Sequence, residues 1–347
     1  MKKLIKMVFF LPLSVVYGLL IVIRNKLFDW GILREKKFPV PIISVGNLSM
    51  GGTGKTPQVE YLIRLLKERK RVAVLSRGYK RKTRGFREAT PDSSYLDIGD
   101  EPMQYATKYP DVTVAVCAKR AKGITKLLAK PEPPEVIILD DAFQHRYVKP
   151  SLNILLTDYY HLYVEDFILP SGSLREFRRG AKRADIVVVT KTNPVLPFVE
   201  RQIIQEKLHL QPHQQLCFSY INYLEPVSMY DPQQMLPKHV TTIFMIAGIA
   251  NSYPFERYLQ GYCIDLRRFI FSDHHRFTEK EIVKIIEKFN RHLSKNKVIV
   301  TTEKDAQRLK TEPFCSLLRN LPVYYVPIQV AFHEEKERSF DSSVGAI

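Results

Sequence analysis

A glycine-rich run carries the strongest chemical signal in the sequence. Residues 46–57 read GNLSMGGTGKTP; an apolar, β-branched stretch precedes them and apolar residues at helical spacing follow. Glycines let backbone N–H groups surround a phosphate chain, and a helix N-terminus adds partial positive charge. Lys55 and Thr56 match the lysine and hydroxyl that contact the terminal phosphates and Mg²⁺ in such a loop. The run therefore predicts a nucleotide site, with Ser49 standing where the pattern has a glycine. The predicted nucleotide-binding residues are Ser49, Met50, Gly51, Gly52, Thr53, Gly54, Lys55 and Thr56.

Two adjacent carboxylates end a second apolar stretch. Residues 136–139 read VIIL, and Asp140 and Asp141 follow directly. Neighbouring carboxylates repel each other in a partly dry site and need a cation between them or beside them. Oxygen ligands of this kind suit Mg²⁺. The predicted metal-binding residues are therefore Thr56, Asp140 and Asp141, and Gln144, His145 and Arg146 are candidates for the same cleft.

Other polar turns carry weaker signals. The acidic turn DIGDEP at 97–102 contains Asp100, and FSDHH at 271–275 contains His274 and His275. Taken alone, both are common turn chemistry. The loop at 77–87 holds six basic residues and no acid. It is either a solvated loop or a contact for an anionic substrate or lipid headgroup.

The elements that must position these residues alternate between strand and helix. This alternation predicts an α/β fold with a mostly parallel sheet of the P-loop NTPase type, helices on both faces, and a second smaller α/β domain. Strands are expected at 185–190, 241–247 and 297–302, and Thr278 and Glu281 have the spacing of a capping box at a helix start. The expected organisation is a membrane anchor and basic flank (1–38), a P-loop domain (39–200), a linker (201–240) and a smaller C-terminal domain (241–347).

The first forty residues contain an apolar run with basic flanks. Residues 7–23 carry no charge, which is close to the shortest length that spans a bilayer. A cleaved signal peptide and a buried core helix are the alternatives, but no small-residue cleavage site follows the run. Tyr17 and Trp30 are candidate interfacial aromatics. The run is interpreted as an uncleaved membrane helix, and whether it spans the bilayer or lies shallowly in it stays open.

The overall charge requires an anionic partner. The 347 residues include 53 Lys and Arg against 36 Asp and Glu, a net charge of +17. Nucleic acid, a membrane surface and a phosphorylated substrate all fit that charge, but no nucleic-acid-binding motif is present. The excess lies in residues 2–37, 77–87 and 175–183, which are hypothesised to surround one membrane-facing site. No nucleic-acid partner and no obligate protein partner are expected, and the four scattered cysteines indicate reduced thiols.

Taken together, the motifs resemble one family. SVGNLSMGGTGKTP, LSRGY, DIGDEP, LDDAFQHR, LPSGSLRE, VVVTKT, MIAGIAN, FSDHH and TTEKDA are similar to the ordered motifs of the tetraacyldisaccharide 4′-kinases. The resemblance implies an ATP-dependent phosphotransferase with an alcohol acceptor. Its substrate would be the 4′-hydroxyl of a membrane-embedded, acylated glucosamine disaccharide 1-phosphate, an anionic glycolipid of lipid A biosynthesis. It also implies ATP and Mg²⁺ as cofactors, membrane lipids as partners, and a location on the cytoplasmic face of the inner membrane, attached through the N-terminal helix.

The resemblance also implies roles for individual residues. Lys55 would act on the phosphates, and Asp100 would be the general base on the sugar hydroxyl, assisted by His274 or His275. Such a dyad would require the smaller domain to close over the nucleotide site. The candidate substrate-binding residues are Arg77, Tyr79, Arg120, Gln144, His145, Arg175 and Glu176.

Two other NTPase classes compete with this interpretation. The turn Thr190-Lys191-Thr192-Asn193 resembles the guanine-reading turn of P-loop GTPases and metal-insertion chaperones. Asn193 stands where the carboxylate that reads guanine would be. ATPases of the ParA and MinD type have an additional lysine in the loop, and Met50 occupies that place here.

Overall fold

The structure is a computed structural model that describes residues 2–231, 233–237, 239–273 and 275–347, with side chains described outside 2–8 and 334–339. The chain forms two compact units. The first comprises Met1–Ile221 and Val330–Ile347, and the second comprises Asn222–Gln329. His274 lies outside the described residues.

Regular elements cover most of the first unit. Its helices are α1 (Lys2–Asp29), α2 (Lys55–Lys67), α3 (Tyr95–Ile98), α4 (Asp100–Lys108), α5 (Arg120–Leu128) and α6 (Phe198–Leu208). Its strands are β1 (Ile42–Asn47), β2 (Val72–Ser76), β3 (Arg87–Glu88), β4 (Thr113–Val116), β5 (Val136–Asp140), β6 (Leu152–Asp158), β7 (Ile186–Thr190) and β8 (Gln215–Tyr223).

The remaining elements follow in chain order. The strands are β9 (Val227–Ser228), β10 (Val240–Ala247), β11 (Cys263–Ile270), β12 (Lys297–Thr302), β13 (Val323–Val326) and β14 (Ile328–Phe332). The helices are α7 (Tyr253–Leu259), α8 (Glu279–Arg291), α9 (Glu303–Leu309), α10 (Phe314–Leu318) and α11 (Glu334–Gly345).

A nine-stranded sheet organises the first unit. Its order is β14-β8-β7-β6-β1-β5-β2-β4-β3, and the pairings from β8 through β4 are parallel. The central strands are short, rich in Val, Ile and Leu, and buried along their length, as expected for a parallel sheet covered on both faces. Helices α2 and α4 contribute to the core on one face, and α5 to the core on the other. The predicted α/β fold is confirmed.

The sheet order places β1 at a switch point. Its neighbours are β5 on one side and β6 on the other, with Val45 opposite Asp140 on β5. Connections from strands on the two sides of such a point run to opposite faces, which opens a crevice at the carboxyl ends of the strands. The glycine-rich loop follows β1 and therefore lies in this crevice.

Helix α1 is long and apolar, and most of it is exposed. Residues Phe9–Asp29 have the length and composition of a membrane span, and only 11% of the most apolar stretch is buried. One face packs on the first unit, where Ser14 Oγ donates to Ser171 Oγ at 2.8 Å and Tyr17 Oη donates to the Arg175 carbonyl at 2.9 Å. A Cβ on Gly18 would lie 2.6 Å from the Phe177 ring, so only glycine permits this close approach.

The second unit is a smaller α/β structure. Its sheet has the order β11-β10-β12-β13-β9, in which only the pairing of β13 with β9 is antiparallel among the described residues. Helix α8 begins after Thr278, whose side chain forms the predicted capping box with Glu281. Ile282, Ile285 and Phe289 of this helix pack into the core of the unit.

The structure divides the chain at other residues than the sequence indicates. The stretch 201–240, expected as a linker, contains most of α6 and all of β8, and β8 extends the large sheet through pairing with β7. The last eighteen residues return to the first unit. Strand β8 reads QLCFSYINY and is buried over about half of its length. The sequence around it is polar and contains prolines, which is why the strand was not predicted.

Candidate active site

The phosphate-binding loop is built between β1 and α2. Gly54 adopts φ +80° immediately before Lys55, a conformation that favours glycine. The Asn47 amide donates to Thr53 Oγ1 at 2.8 Å, and Thr190 Oγ1 donates to the Thr53 carbonyl at 2.8 Å. The first turn of α2 contains no acidic residue. Among the described contacts, no side-chain hydrogen bond from the N-cap residue, Gly54, caps this end of the helix. The N-terminus of α2 is therefore suited to bind an anion.

The outer part of the loop rests on residues near Arg175. The Met50 N–H donates to the Ser173 carbonyl at 2.7 Å, while the Met50 side chain is exposed. Ser49 pairs with Leu174 in an isolated bridge. The eight predicted nucleotide-binding residues thus form one continuous loop whose shape depends on a distant segment.

Lys55, Asp141 and Arg175 form one charged cluster. Lys55 Nζ lies 3.6 Å from Asp141 Oδ1, and Arg175 Nη1 lies 2.8 and 2.9 Å from the two Asp141 oxygens. Burial alone would raise the pKa of Asp141, but the two cations hold it below its usual range. Asp141 is therefore ionised at neutral pH and holds both cations beside the phosphate-binding loop.

Asp140 has the opposite electrostatic environment. It is fully buried at the end of β5, and burial, together with the charges of Glu101 and Asp141, raises its pKa to about 7. Tyr105 Oη donates to its Oδ2 at 3.5 Å, while its Oδ1 has no hydrogen-bond partner among the described residues. A buried carboxylate oxygen without a donor is expected where a cation completes the site.

Asp100 begins α4, directly after Gly99 at φ +97°. The loop that contains Arg77 and Tyr79 packs against this turn: Lys82 N–H donates to the Leu96 carbonyl at 2.8 Å, and a Cβ on Gly99 would lie 3.0 Å from the Tyr79 carbonyl. Arg77 and Tyr79 are exposed. The structure thus brings the segment of the predicted base, Asp100, against the segment of two predicted substrate-binding residues.

His145 and Gln144 follow the carboxylate pair. Burial and the nearby charges of Arg120, Arg24 and Arg77 lower the pKa of His145 to about 4, so its imidazole is neutral at pH 7. Gln144 Nε2 donates to the Asn47 carbonyl at 2.8 Å, which links it to the strand before the loop. Neutral His145 can donate or accept a hydrogen bond without adding charge.

Glu176 and Arg120, two of the predicted substrate contacts, are both buried. Glu176 is 2% exposed, and its carboxylate accepts hydrogen bonds from Arg183 at 2.8 Å and from Asn25 of α1 at 3.1 Å. Arg120 is also 2% exposed, and burial lowers its pKa to about 10. Its guanidinium donates to the Asp140 carbonyl at 3.2 Å. Both side chains are buried, and the Arg120 Nε has no hydrogen-bond partner among the described residues. Their contact with the substrate stays a prediction.

The DHH turn belongs to the second unit. His275 Nε2 lies 3.0 Å from Glu281 Oε2, and Arg308 Nη1 donates to the His275 carbonyl at 3.1 Å. Arg308 also pairs with buried Asp305 at 3.5 Å. These contacts fix the turn within its own unit. The pairing of Asp100 with a histidine stays a prediction, and His274 is outside the described residues.

Sequence reasoning missed several residues around the loop. Buried Tyr105 hydrogen-bonds Asp140. Lys191 hydrogen-bonds the Gly52 carbonyl and pairs with Asp158 at 2.8 Å. The signal for Lys191 was its place in the TKTN turn after β7, since that turn resembles one that contacts nucleotides. Tyr105 gave no local signal, because its partners are distant in sequence.

Comparisons with known proteins agree with this site. A family profile described as Tetraacyldisaccharide-1-P 4′-kinase matches residues 7–345. A Parabacteroides distasonis protein named tetraacyldisaccharide 4′-kinase is 48% identical over 340 residues, covering 96% of this chain and 92% of its own length. A Bacteroides thetaiotaomicron protein of the same name is 46% identical over 345 residues, covering 96% of this chain and 91% of its own.

A solved structure is also similar. The LpxK protein of Aquifex aeolicus, crystallised in complex with ATP, has a TM-score of 0.73 and 31% identity, and the match covers 97% of this chain and 99% of that one. These matches favour the kinase interpretation over a GTPase or metal-insertion chaperone. The chain belongs to the tetraacyldisaccharide-1-phosphate 4′-kinase family.

Proposed function

We propose that the crevice at the end of β1 transfers the γ-phosphate of ATP to the 4′-hydroxyl of an acylated glucosamine disaccharide 1-phosphate. The observation that carries the proposal is the cluster of Lys55, Asp141 and Arg175 at the loop, beside buried Asp140. Phosphoryl transfer depends mainly on positioning and on neutralising phosphate charge. A cationic loop with an acidic pair beside it supplies both.

Lys55 binds the terminal phosphates in this proposal. Its ammonium group pairs with Asp141, 3.6 Å away. Arg175 holds the same carboxylate through both oxygens. Arg175 therefore keeps Asp141 in place when Lys55 turns to the nucleotide, and its own charge contributes to the positive potential of the crevice.

The residues present fit Mg²⁺. Asp140 offers a buried oxygen with no described donor, and Asp141 is ionised. Together with the Thr56 hydroxyl they form a set of oxygen ligands of the kind Mg²⁺ prefers. When bound, Mg²⁺ would neutralise charge on the β- and γ-phosphates. Arg120 and Tyr105 hold Asp140 in position through its carbonyl and its Oδ2.

Asp100 is the proposed general base. It lies in the first turn of α4, where the helix N-terminus stabilises a negative charge. A sugar hydroxyl is a weak nucleophile, and a carboxylate within hydrogen-bond reach accepts its proton as the new P–O bond forms. Assistance by His275 is a separate prediction. Arg77, Tyr79 and neutral His145 are the proposed contacts of the phosphorylated disaccharide.

The proposed location is the cytoplasmic face of the inner membrane. Helix α1 presents an exposed apolar surface, and basic residues follow it. Its docking on the segment that carries Arg175 supports a membrane surface close to the crevice. An acylated substrate could then reach the site while its chains stay in the bilayer.

Transfer of ³²P from labelled ATP tests the proposal. The purified chain in detergent is expected to label the lipid disaccharide 1-phosphate, and Asp140→Asn is expected to reduce labelling and to weaken its dependence on Mg²⁺. The matched control is Asp92→Asn, an exposed carboxylate two residues before the α3 cap. Robust GTP hydrolysis without labelled lipid would contradict the kinase function.

A further inference from the structure

A groove separate from the nucleotide loop runs between α1 and the segment 166–183. It has a volume of about 900 Å³ and is lined on its apolar side by Leu11, Val15, Val22, Phe167 and Phe177. Phe167 and Phe177 are nearly half exposed there. The groove adjoins the candidate membrane helix along its length, so its apolar wall can be continuous with the bilayer.

Basic side chains, called here the cationic rim, also line the groove. Lys26, Arg178, Arg179 and Lys182 line it. Lys26, Arg179 and Lys182 have no anionic partner in the part of the chain that the structure describes. The Arg178 guanidinium donates to the Asp166 main-chain carbonyl at 2.9 and 3.1 Å, and among the described residues no carboxylate pairs with it.

The acidic residues of the groove do not balance these charges. Asp29 pairs with Arg146 at 2.9 Å. The Asp166 carboxylate accepts hydrogen bonds from the Phe167 and Ser173 N–H groups. The rim therefore presents excess positive charge beside an apolar wall, a combination that is complementary to an anionic headgroup with an attached acyl chain.

The walls of the groove are held in place by contacts between them. Ser14 is 2% exposed and bonds the Ser171 hydroxyl and N–H, at 2.8 and 2.9 Å. Asn25 donates to buried Glu176, and Gly18 brings the helix against Phe177. Because the two sides are already joined by these contacts, binding has little conformational entropy to overcome.

We propose that this groove binds one anionic diacyl phospholipid of the membrane, with its phosphate on Arg179 and Lys182 and one acyl chain along Phe167 and Phe177. The lipid would fix the angle at which α1 meets the bilayer. The proposal goes beyond the proposed kinase function and does not depend on phosphoryl transfer. It concerns a membrane lipid and not the disaccharide substrate.

Native mass spectrometry of the full chain tests the proposal, with dioleoyl phosphatidylglycerol and dioleoyl phosphatidylcholine as probes. The chain is expected to retain one phosphatidylglycerol and to bind phosphatidylcholine more weakly. The double substitution Arg179→Gln and Lys182→Gln is expected to weaken phosphatidylglycerol binding roughly tenfold or more, because it removes the two cations that contact the lipid phosphate in this proposal.

Matched variants distinguish binding at this groove from a general effect of the protein's positive charge. Arg69→Gln with Lys122→Gln removes the same charge from exposed positions outside the groove and is expected to leave binding unchanged. Phe167→Ser is expected to weaken binding of the dioleoyl lipid but not of a dihexanoyl lipid. Equal weakening by the control pair, equal binding of both headgroups, or displacement of phosphatidylglycerol by the disaccharide substrate would each overturn the proposal. Binding is measured without ATP, so a failure of the kinase assay leaves this result interpretable.

Discussion

At the scale of single residues, the site separates two adjacent carboxylates by environment. Asp140 is fully buried and its pKa is raised by burial and by the charge of Glu101, whereas Asp141 contacts Lys55 and Arg175. The pKa values of the pair therefore move in opposite directions. Asp140 is the last residue of β5. Asp141 has φ +48°, so the chain turns away from the strand direction at this residue. This turn gives one carboxylate to the cations of the loop and leaves the other in the dry interior.

Asp100 supports a sharp kinetic prediction. Asp100→Asn retains the shape of the side chain and removes its ability to accept the sugar proton. We expect kcat to fall by about two to four orders of magnitude, while KM for ATP changes little, since the base contributes mainly in the transition state. Steady-state transfer of ³²P measures both constants.

Asp92→Asn provides the matched control for that measurement. Asp92 is an exposed carboxylate in the turn before α3. Its variant should retain the wild-type kcat. Near-normal turnover of the Asp100 variant would exclude Asp100 as the base.

His145 predicts a pH dependence of stability. Burial and neighbouring cations lower its pKa to about 4 in the folded state, against roughly 6.5 in the unfolded chain. Between these two values the unfolded chain binds a proton that the folded chain does not. Protonation of this group therefore favours the unfolded chain. It leaves the free energy of unfolding unchanged above pH 6.5 and lowers it, by on the order of 1–2 kcal/mol after solvent screening, as the pH falls toward 4.

Urea unfolding at neutral and mildly acidic pH measures this effect. His145→Gln removes the titrating group and is expected to reduce the loss of stability on acidification. His213→Gln, an exposed control in the same unit, should leave the loss unchanged. An unaltered pH dependence in the His145 variant would refute the assignment.

At the scale of elements, local patterns predicted much of the site and distant contacts supplied the rest. The loop before Lys55 and the carboxylates after β5 have local signatures, because strand, glycine and helix signals adjoin them. The capping box at Thr278 was predicted for the same reason and is confirmed. Tyr105 was not predictable, since its hydrogen bond to Asp140 joins residues 35 positions apart.

Helix α1 has two faces with different roles, and substitutions can separate them. Val16 and Leu20 are about 60% exposed and lie outside the groove. The pair Val16→Gln and Leu20→Gln is expected to lower partition into membranes roughly tenfold or more, since each change exposes less apolar area to the bilayer. Flotation with liposomes measures the partition coefficient.

Transfer to a detergent-solubilised substrate should persist in that variant, because the contacts of Ser14 and Tyr17 with the first unit are unchanged. Ile264→Gln with Leu293→Gln removes exposed apolar surface from the second unit and serves as the control. Partition that stays at the wild-type level in the Val16 and Leu20 variant would mean that α1 does not carry the attachment.

At the scale of the whole molecule, the first unit is assembled from two separated stretches of chain. The segment 330–347 returns to it after the second unit is complete. Phe340 is fully buried, and its ring stacks on Phe332 at 4.3 Å. Tyr61 of α2 donates to Asp341 at 2.8 Å. The end of the chain therefore supports the helix whose first residue is Lys55.

This arrangement predicts that a change far from the loop in sequence weakens nucleotide binding. Phe340→Ala should lower the free energy of unfolding of the first unit by about 3–5 kcal/mol, because it leaves a cavity where α11 meets α2. Thermal unfolding with and without ATP measures both stability and binding. Phe198→Ala, at a position that is 69% exposed, removes the same side chain without a cavity and should change neither. If the Phe340 variant kept wild-type stability and ATP affinity, the segment 330–347 would not stabilise α2, and α2 would be held in place by the sheet alone.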